Sequence, residues 1–314
     1  MRRFWGCGAV ALALAVPAQA RSLQQAQAGK VVLEVLPRVT VTVLVDNMAG
    51  SRAVLGEWGA AFLIETDQHQ ILFDVGAGQT LLGNARALGV NLARTEAIAI
   101  SHEHGDHTEG LDSALSAVGS VDLFVHPAAF DTRYWRAGDR AAPHTMPLSR
   151  QQLSQRVRRL IETKGPTSIR EGLMVTGEIP RVTDFEDTGV RESAFLDASM
   201  ETPDPILDDQ AVFFRVPEGL VIVLGCGHAG LVNTMRYVSE LTGESRIFAI
   251  IGGTHLVSAS PARMQRTVEA LREFDVQKIM LSHCTGAQAF ADLAKAFPGR
   301  SSWPASGTRI RFGG

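Results

Sequence analysis

The chain has 314 residues, 45% of them hydrophobic and 20% charged, with a formal net charge of -3. That composition supplies a sizeable core and excludes a disordered or fibrous chain. The near balance of charge gives no reason to expect nucleic acid or a membrane surface as partner.

The N-terminus reads as a targeting segment. Arg2-Arg3 precedes an apolar run from Phe4 to Pro17 and then Ala18-Gln19-Ala20, the small-x-small form of a signal-peptidase site. The run is too short to span a bilayer. Residues 1–20 are therefore expected to be a signal peptide cleaved after Ala20, by the general secretory route in preference to the twin-arginine one. The mature chain, 21–314, is expected in a periplasm-like compartment as a single domain with no membrane contact.

Val31 to Val45 is rich in β-branched residues and interrupted by Pro37, so it reads as one or two strands ending at Asp46-Asn47. Gly59 to Glu65 and Ile71 to Gly76 read as hairpin partners across the turn Asp67-Gln68-His69-Gln70. Asp74 falls between an apolar strand and a glycine, where an Asx-turn is one reading. Gln79 to Leu88 has a helical pattern closed by Gly89, and Glu96 to Ile100 is a strand.

That strand delivers Ser101-His102-Glu103-His104-Gly105-Asp106-His107. Residues two apart on a helix point to nearly opposite sides, whereas in extended chain they share one, so His102 and His104 belong to a strand end or loop. Gly105 lets the backbone turn, and Asp106 and His107 offer oxygen and nitrogen donors from another direction. Two donor sets this close point to two metal ions. The helical zinc-protease pattern, with histidines four apart, is absent from this stretch.

Thr108 to Val118 reads as a helix and Val121 to Val125 as a strand ending in His126-Pro127, with His126 expected to be structural. From about 128 to 209 the alternation of strand and helix is lost, apart from a helix near Arg150 to Thr163 and short strands near Leu173 to Thr176. This stretch reads as a lid-like insertion, the sort of segment that sets substrate choice.

Regular structure resumes with Ala211 to Val216, Leu220 to Leu224, a helix to about Leu241, and the strand Ile247 to Ile251. A helix over Pro261 to Phe274, the strand Lys278 to Leu281, a last helix and the strand Thr308 to Phe312 complete the chain. Three strands of this half end in a histidine: His228, His255 and His283. Ligands collect at strand ends in open α/β sheets, so these histidines are expected to complete one shared site. After cleavage of the leader two cysteines remain, Cys226 and Cys284, each within two residues of a histidine. They could form one disulfide, or line the site.

The pattern His102-x-His104-x-Asp106-His107 after an apolar strand resembles the metallo-β-lactamase superfamily. That resemblance implies an α/β fold, a four-layer αβ/βα sandwich with a metal site, often binuclear, at the edge between two sheets. It also implies hydrolysis. Oxygen-reducing di-iron members carry Glu where this chain has His104, so a zinc-type hydrolytic site is expected, with manganese or iron as alternatives. In the same superfamily a carboxylate placed like Asp74 holds the metal-ligand loop by hydrogen bonds.

Gly225-Cys226-Gly227-His228-Ala229-Gly230, Gly252-Gly253-Thr254-His255-Leu256, His283-Cys284-Thr285-Gly286, Val45-Asp46-Asn47 and Asp208-Asp209-Gln210 resemble one branch in particular. Its members are named as dihydropteroate synthase-like or 7,8-dihydropterin-6-methyl-4-(β-D-ribofuranosyl)aminobenzene-5'-phosphate synthase-like. The branch commonly has Glu-His-Gly where this chain has Glu57-Trp58-Gly59.

The expected centre places one ion on His102, His104 and His228, and a second on Asp106, His107 and His283. Cys226 is a candidate additional ligand, and His255 either a ligand or a substrate contact. Two such ions, roughly 3.5–4 Å apart, would lower the pKa of a shared water and polarise the scissile group, with Asp106 orienting that water or moving its proton. The expected substrate is a small molecule with an ester-type bond, a phosphodiester or phosphate ester ahead of a lactone or thioester. A pterin-related transferase and a non-catalytic metal-dependent binding protein are the alternatives.

Overall fold

A computed structural model describes residues 30–314, and the expected signal peptide lies outside the described residues. The chain opens with an antiparallel run of β1 (Arg38–Val45), β2 (Ala61–Thr66) and β3 (Gln70–Phe73), followed by helix α1 (Leu81–Ala87). Next come β4 (Ala97–Ala99), the short helices α2 (Gly105–Thr108) and α3 (Leu111–Ala117), and β5 (Asp122–Val125). The middle of the chain holds β6 (Arg133–Ala137), β7 (Arg140–His144), α4 (Arg150–Arg156), β8 (Arg159–Glu162), β9 (Thr167–Arg170), β10 (Leu173–Val175) and β11 (Ala194–Phe195). The last third runs β12 (Ala211–Val216), β13 (Gly219–Leu224), α5 (Leu231–Thr242), β14 (Ile247–Gly252), α6 (Pro261–Glu273) and β15 (Lys278–Leu281). It closes with α7 (Ala287–Ala296), β16 (Ser301–Ser302) and β17 (Arg309–Gly313).

Two seven-stranded sheets result, ordered β17-β1-β2-β3-β4-β5-β8 and β16-β15-β14-β13-β12-β10-β9. They face each other across one core that takes Phe62 and Ile64 from β2 and Val221 and Val223 from β13. The alternate residues face outward: Ala61 and Leu63 pack with Leu81 of α1, Leu111 of α3 and Leu153 of α4, and Leu220, Ile222 and Leu224 pack with Leu231 of α5, Leu271 of α6 and Leu293 of α7. Both faces of each sheet are covered, which is why Leu220–Leu224 is an unbroken apolar run instead of an alternating one. This is the four-layer αβ/βα sandwich that the resemblance implied.

Three elements differ from the expectations. The helix expected over Arg150 to Thr163 stops at Arg156, and β8 then joins the first sheet parallel to β5. The single helix expected from Thr108 to Val118 is two, broken at Glu109-Gly110. A Cβ on Gly110 would lie 2.1 Å from the Val75 carbonyl oxygen, so the close approach of loop to strand end sets the break. The insertion expected over about 128–209 is only partly separate: β8 belongs to the first sheet and β9 and β10 to the second. Only β6, β7 and β11 form a sheet of their own.

Asp122 explains why Val157 to Glu162 leaves the helical pattern. Its side chain is fully buried, and it pairs across the β5–β8 register with Arg158 (2.7 Å) and Arg159 (2.6 Å), with Arg170 at 3.2 Å. Burial alone would raise the carboxyl pKa, but Arg159 and Arg158 hold it well below the ordinary range. A depressed folded-state pKa stabilises above the unfolded value near 4, and that contribution is lost as pH falls. Asp122→Asn is therefore expected to destabilise by about 2–3 kcal/mol at neutral pH. Urea titrations at neutral and acid pH should show the gap from the parent closing as pH falls.

Candidate metal centre

The parallel strands β3, β4, β13, β14 and β15 end on the same side, and each continues into a loop bearing a polar side chain. Asp74, just past β3, has φ of +60° and is fully buried. Its Oδ1 accepts from the Ser101 amide at 2.7 Å, and its Oδ2 from the Ser101 hydroxyl at 2.8 Å and His107 Nδ1 at 2.7 Å. Both partners lie far along the chain, so Asp74 acts as a clamp on the histidine loop, not as a local turn residue.

The same logic orients the other rings. Ser101 Oγ gives its proton to Asp74 and so accepts from His102 Nδ1 at 2.8 Å. His228 Nδ1 donates to the Thr188 carbonyl at 2.6 Å, and His283 Nδ1 to Asn47 Oδ1 at 2.9 Å. The Asp46 carboxylate holds the His283 amide at 2.9 Å. With Nδ1 as donor in each ring, Nε2 carries the free lone pair.

Those Nε2 atoms converge. His102, His104 and His228 offer donor atoms within 4.8 Å of one another, as do Asp106, His107 and His283. Cys226 joins His102 and His107 in a third set, its Sγ 3.1 Å from His107 Nε2. Nε2 of His102, His104, His228 and His283 is buried without a hydrogen-bond partner. Four orphaned nitrogens in one place would be costly in a finished protein core, and a cation accepted by all of them removes that cost. The donor set of imidazoles, one carboxylate and a thiol fits a divalent ion of zinc type.

Electrostatics agree. Burial, and then the neighbouring imidazoles, hold His102 and His228 well below the ordinary histidine pKa. Burial likewise lowers His104. All three shifts favour the neutral ring, the form that binds metal. His107 differs: burial would lower it, but Asp106 and Asp74 raise it to about 9. The Asp106 carboxyl, despite its burial, is held well below the usual range by His107 and His283. The carboxylates of Asp106 and Asp74 thus favour positive charge in this half of the centre.

His255 lies outside these donor sets, its ring 4.5 Å from that of His228, with φ of +44°. Cys226 and Cys284 are both free thiols, so the disulfide alternative is not realised. Several contributors went unread in the sequence. Ser101 and Asn47 stand within the sequence motifs, but their part in setting ring orientations has no signature there, and Thr188 acts through its backbone carbonyl. Glu103, between the two histidines of the motif, pairs with His144 of β7 at 2.7 Å and has its other carboxylate oxygen 3.8 Å from His104 Nε2. Trp135 of β6 packs its ring 5.0 Å from His104, and Trp58 packs 5.4 Å from His283. The small sheet thus reaches the centre through Trp135 and His144.

Glu57 anchors the loop that carries Trp58. Its carboxylate accepts from the amides of Ala77 (3.0 Å), Gln79 (2.8 Å) and Thr80 (2.8 Å) at the start of α1. Glu57→Ala strands three amides and is expected to destabilise by about 2–4 kcal/mol, with Glu57→Gln milder. Thermal denaturation of the two variants checks the order.

Fold and site together define an αβ/βα sandwich with a candidate metal centre at the seam between its two sheets. The chain belongs to the metallo-beta-lactamase superfamily, whose family model matches residues 59–230. It is similar to 7,8-dihydropterin-6-methyl-4-(beta-D-ribofuranosyl)-aminobenzene-5'-phosphate synthase of Methanocaldococcus jannaschii, 27% identical over 261 residues that cover 80% of this chain and 89% of the relative. Among solved structures it is similar to Tm1679, a metal-dependent hydrolase of the beta-lactamase superfamily. That likeness has a TM-score of 0.72 and 26% identity, covering 87% of this chain and 98% of the other. The metallo-beta-lactamase fold protein YhfI from Bacillus subtilis shares the fold, with a TM-score of 0.53 at 12% identity over 87% of this chain and 99% of the other.

Proposed function

We propose that the protein is a binuclear metallohydrolase acting on an ester-type bond of a small molecule, with phosphodiesters and phosphate esters ahead of lactones and thioesters. One observation carries the reading. Two donor sets, His102/His104/His228 and Asp106/His107/His283, lie side by side, and Nε2 of His102, His104, His228 and His283 is buried and unsatisfied. Divalent ions held there would supply Lewis acidity and lower the pKa of a water in the site.

The chain's own residues do the rest. Asp74, Ser101, Asn47 and Thr188 hold the rings so that no reorganisation is needed when substrate arrives. Asp106 Oδ2 lies 3.2 Å from His283 Nε2, and its side chain is 20% exposed, more open than the rings beside it. It is therefore placed to take a proton from an attacking water and pass it outward. Trp58, 62% exposed at the rim, offers an apolar surface where the branch more often has a histidine.

A second reading has its own support. The relative from Methanocaldococcus jannaschii is named a synthase, which favours a pterin-related transferase using the same centre. The two separate on one experiment. The zinc- or manganese-loaded protein is offered bis(p-nitrophenyl) phosphate, p-nitrophenyl phosphate, p-nitrophenyl acetate and a lactone, and is titrated in parallel with a pterin. Metal-dependent turnover of a phosphoester supports the hydrolase. Tight pterin binding without any hydrolysis supports the transferase and overturns the first reading. We further propose that 21–314 works as one domain after export, which N-terminal sequencing of the secreted chain tests.

A further inference from the structure

Cys226 and Cys284 stand at the ends of β13 and β15, with β14 between them. Two glycines close β14, and the second, Gly253, lets the thiols approach. A Cβ there would meet Cys284 Sγ at 2.6 Å, the Gly225 carbonyl oxygen at 2.4 Å and Cys226 Cα at 3.2 Å. Any other residue would drive the two apart.

A buried cysteine is most often a small apolar side chain. These two are in a different setting. Cys226 Sγ faces His107 Nε2 at 3.1 Å, and Cys284 Sγ sits 3.4 Å from the His255 amide and 3.6 Å from the Cys226 carbonyl oxygen. Their sulfurs and a ring nitrogen of His283 all lie within 4.8 Å of one another. His283 Nδ1 is tied to Asn47, and its Nε2 is buried without a hydrogen bond. His283 and His255 both hold positive φ, +51° and +44°, the kind of backbone strain that persists where a site over-determines it.

We propose that Cys226, Cys284 and His283 form a thiolate-bearing metal position in the floor of the centre, so that one of the ions is bound partly through sulfur. The inference rests on the metal-centre reading above and adds the identity of the ion. Two thiols and an imidazole select zinc or another thiophilic cation over manganese or magnesium. Each sulfur releases its proton to solvent as the contact to the ion forms, so loading is opposed by acid.

Cobalt(II) loading of the whole chain tests this by a readout independent of turnover. The thiolate-to-cobalt charge-transfer band in the near ultraviolet should be present, fall by about half in Cys226→Ser and in Cys284→Ser, and vanish in the double variant. Zinc should outcompete manganese in the parent, because thiolate ligands favour the softer ion, with the margin shrinking in the double variant. Two cobalt ions per chain without a thiolate band, or a band indifferent to Cys284→Ser, would overturn the inference and leave the binuclear hydrolase standing. No bound cobalt at all would sink both. Should the double variant fail to fold, cadmium-113 resonances of the unmutated protein decide: a strongly downfield, sulfur-type signal is expected, and signals confined to the nitrogen and oxygen range contradict it.

Discussion

His104→Ala is expected to lower the hydrolytic rate by at least about a thousandfold, which corresponds to the several kcal/mol of charge stabilisation a catalytic ion provides. His104 belongs to the donor set with His102 and His228, and two imidazoles alone leave that position open. Its Nε2 makes no hydrogen bond that holds the fold together. Far-ultraviolet circular dichroism should therefore match the parent while bound metal falls. Full activity in this variant would contradict the assignment of the whole motif to metal binding.

Asp74 is the second point of large effect, and two substitutions separate its roles. Asp74→Ala removes the acceptor for the Ser101 amide, the Ser101 hydroxyl and His107 Nδ1 together, all buried, and is expected to destabilise by about 3–5 kcal/mol. Asp74→Asn keeps the shape and tolerates the positive φ, so it isolates the charge. It should weaken metal binding by about 10–100-fold with a smaller loss of stability, the usual cost of removing a carboxylate behind a metal-binding histidine. Isothermal titration with zinc, alongside urea unfolding of both variants, reads the two effects separately. Equal metal affinity in Asp74→Asn and parent would reduce Asp74 to a folding role.

Much of this was legible in the residues because strand ends announce themselves. The apolar runs before His102, His228, His255 and His283 place those side chains at the carboxyl ends of parallel strands, where the structure brings the rings of His102, His228 and His255 together and sets His283 against His107. The layered sandwich was what the resemblance carried by the histidine motif implied. Other features have no local signature. Helix α4 ends at Arg156 because Arg158 and Arg159 are needed by Asp122 on another strand, a tertiary demand that overrides a helical pattern. Thr188 orients His228 from 40 residues away through its backbone carbonyl, which any residue type could supply. The pairing of Cys226 with Cys284 depends on the spacing of three strands and on Gly253, and neither cysteine's neighbours in sequence disclose it. His255 shows the limit in the other direction, since its strand-end position is equivalent to that of His228 and yet it falls outside the donor sets.

The most direct measurement is the metal content of the whole chain after zinc loading and exhaustive dialysis, taken on the parent and on His104→Ala and correlated with turnover of bis(p-nitrophenyl) phosphate. Near two zinc ions in the parent, close to one in the variant, and turnover that disappears with the lost ion are expected. Turnover that survives complete removal of metal by a chelator, or a parent that retains no ion at all, would contradict the binuclear hydrolase.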